Sequence, residues 1–229
     1  MDFEEYTIEN DYLRVTVTTW GAQVKSVVRK CDGVEHMWQA DGSVWGYHAP
    51  ILFPHAGKVL NGTIHAKGQD YPATQHGFAR LMEHDLVEQT PNSLVLELHS
   101  NPETLAHFPY EFRLISTFTL SGDTLHHTLT VVNTDREILP FGIGYHPAFA
   151  IPFDENHTAS DYELRFDKMT ATPKKEETFE ITRDYFRRLE DNIREQPELW
   201  LWSHKRWKRT REQFLAKWGD KAAAQLSHL

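Results

Sequence analysis

Leu13, Val15 and Val17 alternate with Arg14 and Thr16, and this period of two predicts a strand with one face on a core. The alternation returns at Leu94, Leu96 and Leu98, over residues 113–120, and at Leu125, His127, Leu129 and Val131. Shorter apolar runs at Tyr6–Ile8 and Val24–Val28 add two more strands. Asn10-Asp11, Asp32-Gly33 and Gly122-Asp123 separate these runs with residues that favour turns. His36-Met37-Trp38 is the expected return strand after Asp32-Gly33. His126 and His127 fall on opposite faces of their strand and are read as strand residues. Up to about residue 167 there are many short strands, frequent turns and no long helical period. That pattern predicts an antiparallel β sandwich or barrel.

The period changes after residue 172. TPKKEET is a charged, Pro-containing linker. Ile181, Tyr185, Leu189 and Ile193 then recur every four residues, with Phe186 beside them. They predict an amphipathic helix that starts at an N-cap on Thr182 and ends near Pro197. Pro197 opens a second helix carrying Trp200 and Trp202. Five basic residues around Trp207 follow in HKRWKRTR. They read as a solvated basic face, or as one suited to an anionic membrane surface. The chain therefore divides into a β domain at 1–169 and a linker with a helical basic and aromatic tail at 170–229.

Charge sharpens this division. The net charge is −9 over 229 residues. Residues 1–172 carry 11 Lys/Arg and 23 Asp/Glu, whereas residues 173–229 carry 13 and 10. An acidic body does not suit non-specific nucleic-acid binding. One cysteine, Cys31, leaves no internal disulfide and fits a reducing compartment. The acidic start MDFEEYTIEN does not read as a signal peptide, and no apolar run approaches the roughly 20 residues of a membrane span. A cytoplasmic protein is expected.

Candidate chemistry gathers in two stretches. QHGFAR places His76, Gly77, Phe78 and Arg80 within six residues, and GYHPAF places His146 among aromatic and backbone-shaping residues. Imidazole titrates near neutrality, which suits acid–base work. Trp38, Trp45 and Tyr47 form an aromatic cluster, read either as core or as a stacking wall for a ligand. The run APILFPHAGKVLNGTI ends in a loop where Lys58 and Asn61 can reach a ligand, although Asn61-Gly62 serves equally as a bare turn. No GxGxxG, Walker, CxxC or HExxH pattern occurs, so neither a nucleotide cofactor nor a common zinc site is expected.

Residues 1–167 resemble the aldose 1-epimerase, or galactose mutarotase-like, superfamily. GAQVKSVVRK, MWQADGSVW, PILFPHAGKVLNGTI, QHGFAR, FPYEFRL and IGYHPAF carry the resemblance in order along the chain. It implies an antiparallel β-supersandwich and the interconversion of the α and β anomers of an aldose, with no metal or organic cofactor. By resemblance His146 is the acid, and His76 hydrogen-bonds the sugar near its ring oxygen. Lys58 stands where the family has an arginine, and Arg80 is a further ligand contact. The family's general base is a glutamate on a late strand. The resemblance ends near Asp167, so no glutamate here inherits that role, and an incomplete sandwich with unpaired edges or an open core is expected. The residues leave two readings: an aldose 1-epimerase-like isomerase, or a carbohydrate-binding protein without turnover.

The tail resembles another family. Residues 178–211, centred on Pro197, Trp200-Leu201-Trp202, His204 and Arg206-Trp207-Lys208, are similar to the C-terminal end of bacterial lipid A acyltransferases. That family's HxxxxD motif is missing from the body. His76 is followed at that distance by Arg80 and Leu81, and His146 by Ala150 and Ile151. The tail therefore implies no acyl transfer. Its expected role, if any, is a membrane-surface or partner contact, and the junction reads as a truncated epimerase joined to a stray acyltransferase terminus.

Overall fold

In the computed structural model, residues 3–166 and 169–171 are described. In chain order the strands are β1 (Glu5–Glu9), β2 (Leu13–Thr18), β3 (Gln23–Arg29), β4 (Val34–Glu35), β5 (Ile51–Leu52), β6 (Thr63–Ala66) and β7 (Gln69–Pro72). They continue with β8 (Asp85–Thr90), β9 (Ser93–His99), β10 (Phe112–Ser121), β11 (Thr124–Asn133), β12 (Gly144–Tyr145), β13 (Leu164–Phe166) and β14 (Met169–Ala171). One short helix, α1 (Pro102–Leu105), is capped by the Asn101 side chain, which accepts from the backbone of Glu103 and Thr104.

Two four-stranded antiparallel sheets form the body, in the orders β1-β2-β3-β4 and β11-β10-β9-β8. The pattern of alternation sets their facing surfaces. On β10, Phe112, Leu114, Ser116, Phe118 and Leu120 are buried and their neighbours are not. Ile8, Val15, Val17 and Val24 from the first sheet join Leu94, Leu96, Leu114 and Phe118 from the second in one buried cluster. The mainly β antiparallel architecture agrees with the alternating sequence, and the Gly122-Asp123 turn joins β10 to β11 in full register.

Three details depart from the sequence reading. The strand expected at 36–38 is displaced to Val34–Glu35. There Glu35 accepts hydrogen bonds from the backbone of Val27 and Met37, which turns the chain away. Met37 then bridges Phe149, and Trp38 N–H donates to Ala148. The second departure is the hairpin of β6 and β7, turned at Lys67-Gly68 with both residues at positive φ, which had no clear signal in the sequence. The third is β8, whose residues are largely exposed and so lack an alternating pattern. The helices expected at 181–193 and after Pro197, and the basic segment at 204–211, lie outside the described residues.

A groove of about 870 Å³ opens beside β3 and β11, lined by Leu13, Val27, Met37, Leu125, His127 and Phe149 among others. Inward residues of β11 (Leu125, His127, Leu129 and Val131) are only half-buried, unlike those of β10.

Candidate functional site

The site is built around Ile51–Phe53. Residues Ile51 and Leu52 pair with Tyr145 and Gly144 on one side, and Pro50 accepts from His146 N–H at 3.1 Å. On the other side the Phe53 carbonyl accepts from both Phe78 N–H and Ala79 N–H, at 3.0 and 3.2 Å. One short strut thus carries both histidine stretches. Phe53 itself is fully buried, within 6.4 Å of the rings of Phe78, Phe108 and Phe112. A methyl group on Gly77 would sit 2.1 Å from the Phe53 carbonyl oxygen, and its φ is +69°. QHGFAR needs its glycine for both reasons.

His76 also adopts a left-handed backbone, φ 67°. Two bonds to Gly57 hold it there: His76 N–H donates to the Gly57 carbonyl at 2.8 Å, and Gly57 N–H donates to Nδ1 at 2.9 Å. Partial burial, aided by the charges of Arg80, His146 and His55, lowers the His76 pKa. The neutral ring accepts at Nδ1, so its proton lies on Nε2. The Gln75 side-chain amide is 3.1 Å from that nitrogen and receives the proton through its oxygen.

His146 is exposed, and its ring lies 5.0 Å from that of Trp45. Trp45 meets Tyr47 at 5.7 Å, and the Arg80 guanidinium lies 4.8 Å over the Tyr47 ring. Arg80 Nη2 donates to the Gln75 carbonyl at 3.0 Å. A continuous chain of contacts therefore runs from His146 through Trp45, Tyr47, Arg80 and Gln75 to His76 and Gly57. Trp38 is the anchor of this aromatic wall, its Nε1–H donating to the Trp45 carbonyl at 2.8 Å.

Of the five residues singled out in the sequence, His76, His146 and Arg80 belong to this chain of contacts. Lys58 is exposed and follows Gly57 directly, which puts its stem at the His76 end. Asn61 is exposed at φ 57°, in a turn closed by Gly62 N–H donating to the Val59 carbonyl, and no contact ties its side chain to the histidines. The structure thus favours the bare-turn reading for Asn61. Sequence reasoning missed Gln75, Phe53 and His55. His55 is buried, and its Nε2 meets the Thr74 carbonyl at 2.8 Å. Only the apolar flank of His55 hinted at burial. Among the described residues, no group of three His, Cys, Asp or Glu side chains gathers as metal ligands would.

The model of the family described as aldose 1-epimerase matches residues 4–226. The chain belongs to the aldose 1-epimerase family. It is 37% identical over 170 residues to the chromosomal protein LacX of Lactococcus lactis subsp. lactis, a match covering 72% of this chain and 56% of LacX. Among solved structures it is similar to a galactose mutarotase related enzyme from Lactobacillus acidophilus, with TM-score 0.68 and 36% identity over 70% of this chain and 53% of that one. A galactose mutarotase-like protein from Lactobacillus casei matches with TM-score 0.64 and 36% identity, over 67% and 52%. The chain spans about half the length of these relatives.

An aldose 1-epimerase family site must hold a sugar ring and move protons at its anomeric carbon. The described arrangement offers a fixed Nε2–H donor, an exposed imidazole, a guanidinium and an aromatic wall.

Proposed function

We propose that this protein binds an aldose between His76 and His146 and interconverts its anomers. In this reading the C1–O5 bond breaks as a proton leaves the anomeric hydroxyl and another reaches O5. The free aldehyde rotates about C1–C2, and O5 then attacks its other face. His146 delivers the proton to O5, and His76 Nε2–H holds the sugar near that oxygen. The Trp45–Tyr47 wall faces the apolar side of the sugar ring, and Arg80 binds hydroxyls. The observation that carries the reading is the shared strut, Ile51–Phe53, which hydrogen-bonds to both histidine stretches.

A second reading, sugar binding without turnover, is favoured by one observation. Among the described residues no carboxylate belongs to the chain of contacts from His146 to His76. The proton from the anomeric hydroxyl then passes to water. Losing a positioned base commonly slows such a step by about 10²–10⁴-fold. NMR magnetisation exchange between the anomers of several aldoses, paired with tryptophan fluorescence titration, separates the two. Anomer exchange above the buffer rate supports the isomerase. Binding without exchange selects the second reading, and neither response from folded protein ends both.

A further inference from the structure

The groups around the candidate cleft are unequal in sign. Arg80 stands over Tyr47, Lys58 follows the Gly57 that clamps His76, and both imidazoles belong to the same chain of contacts. Carboxylates near by in sequence are turned elsewhere. Asp41, in the loop that carries Trp45, accepts from Ser43 N–H and Oγ–H at 2.9 and 2.7 Å. Glu35 accepts from Val27 and Met37 N–H, and Glu83 from Thr19 Oγ–H at 3.2 Å. The ion pairs of the described residues also lie away from the cleft, as with Lys67 and Asp135, Arg113 and Glu97, and Arg29 and Asp32.

Hydrogen-bonding capacity leans the same way. Lysine and arginine side chains donate and never accept. His76 is fixed as a donor at Nε2 by the Gly57 N–H on its other nitrogen. A neutral aldose brings hydroxyl donors that would find few acceptors along this wall. A ligand with extra acceptor oxygens and a negative charge matches it better, and guanidinium and ammonium groups bind such oxygens with charge-assisted bonds.

We infer that the cleft prefers an anionic aldose, one carrying a carboxylate or a phosphate ester, over its neutral counterpart. Arg80 and Lys58 supply the discrimination. This deepens the aldose-binding reading and rests on it. The anion sits at the Lys58–Arg80 side, and the anomeric carbon remains between the two imidazoles.

The test uses the full chain and calorimetric or fluorescence titration with glucose, glucuronate, glucose 6-phosphate and inorganic phosphate. The expected result is at least about tenfold tighter binding of one anionic sugar than of glucose, equivalent to about 1.4 kcal/mol. That preference should shrink as ionic strength rises through about 0.1 M, where exposed charges are screened. Glucuronate and glucose 6-phosphate distinguish a carboxylate site from a phosphate site. Arg80→Gln and Lys58→Gln should each reduce the anionic-to-neutral affinity ratio several-fold, with melting temperatures within a few degrees of the parent. Glucose bound as tightly as both anionic sugars overturns the charge preference and leaves the aldose reading standing. Inorganic phosphate bound as tightly as glucose 6-phosphate also overturns it, because the sugar would then contribute nothing. If no sugar binds folded protein, both readings fall together.

Discussion

The two histidines hang from one strut but are held in different ways. His76 is clamped twice by Gly57, sits on a strained left-handed backbone and has its tautomer set. His146 is exposed, fixed through its backbone to Pro50, with Trp45 against its ring. The buried side of the strut, with Phe53 among Phe78, Phe108 and Phe112, has the packing of a protein interior. The side beyond β12 leads to the half-open groove beside β11. One histidine is therefore preorganised as a directional donor, and the other stays free to exchange protons with solvent. That contrast suits a hydrogen-bond donor and an acid working on one sugar.

Removing the strut's anchor is the most severe way to break the comparison. Phe53→Ala should cost about 3–5 kcal/mol in urea denaturation, because a fully buried aromatic leaves a cavity. An unchanged midpoint would show that Phe53 does not hold the two stretches. Gly77→Ala should cost about 3 kcal/mol from clash and strained φ together, read as a lower melting temperature.

The next test separates the two rings. His146→Gln should slow anomer exchange by about 10²–10⁴-fold with the melting temperature nearly unchanged, since the side chain is exposed. A loss of stability equal to that of Gly77→Ala would refute the idea that His146 is only lightly held.

Acid should act on two other histidines. His84 is fully buried, its Nε2–H donates to the Ala79 carbonyl at 3.1 Å, and burial pushes its pKa down to about 4. His127, stacked 4.2 Å from Phe118 with Nε2 unpartnered, is likewise pushed to about 4 by burial. Unfolded imidazole has a pKa of 6.5, so between pH 6.5 and about 4 the unfolded chain binds more protons. Stability is full above pH 6.5 and declines as pH falls toward 4, by about 3 kcal/mol or less for each group. His127→Phe should flatten this decline in a pH series of thermal melts. An equal slope in parent and variant would remove His127 from the account.

The smallest effect is expected at the aromatic wall. Trp45→Leu should slow exchange by less than about tenfold, because one aromatic contact contributes about 0.5–1.5 kcal/mol. A larger loss would mean that Trp45, rather than the backbone, orients His146.

Much of this was legible in the chain. The alternation on β2, β9 and β10 announced buried faces because strand side chains point to opposite sides. QHGFAR and GYHPAF marked the two histidines through their glycines and aromatics. Other parts were hidden. β8 is largely exposed, so burial left no period to read. Asn61 looked like a ligand contact, yet Asn is equally suited to the left-handed turn it occupies. His55 and Gln75 gave little sign, because their contacts depend on where the backbone of Thr74 and the ring of His76 fall.

The sequence by itself determined the antiparallel class, the inward faces and the residue types that carry protons. These are local properties, set by side-chain period and turn chemistry. Only the tertiary structure decided that His76 and His146 share a strut, that Gly57 sets one tautomer, and that Arg80 stacks on Tyr47. Those relations join residues 50–57, 75–80 and 144–146, and a carbonyl such as that of Phe53 has no side-chain signature to advertise its partners. Long-range backbone hydrogen bonding, satisfied only when the chain is folded, assembles the cleft from stretches far apart in sequence.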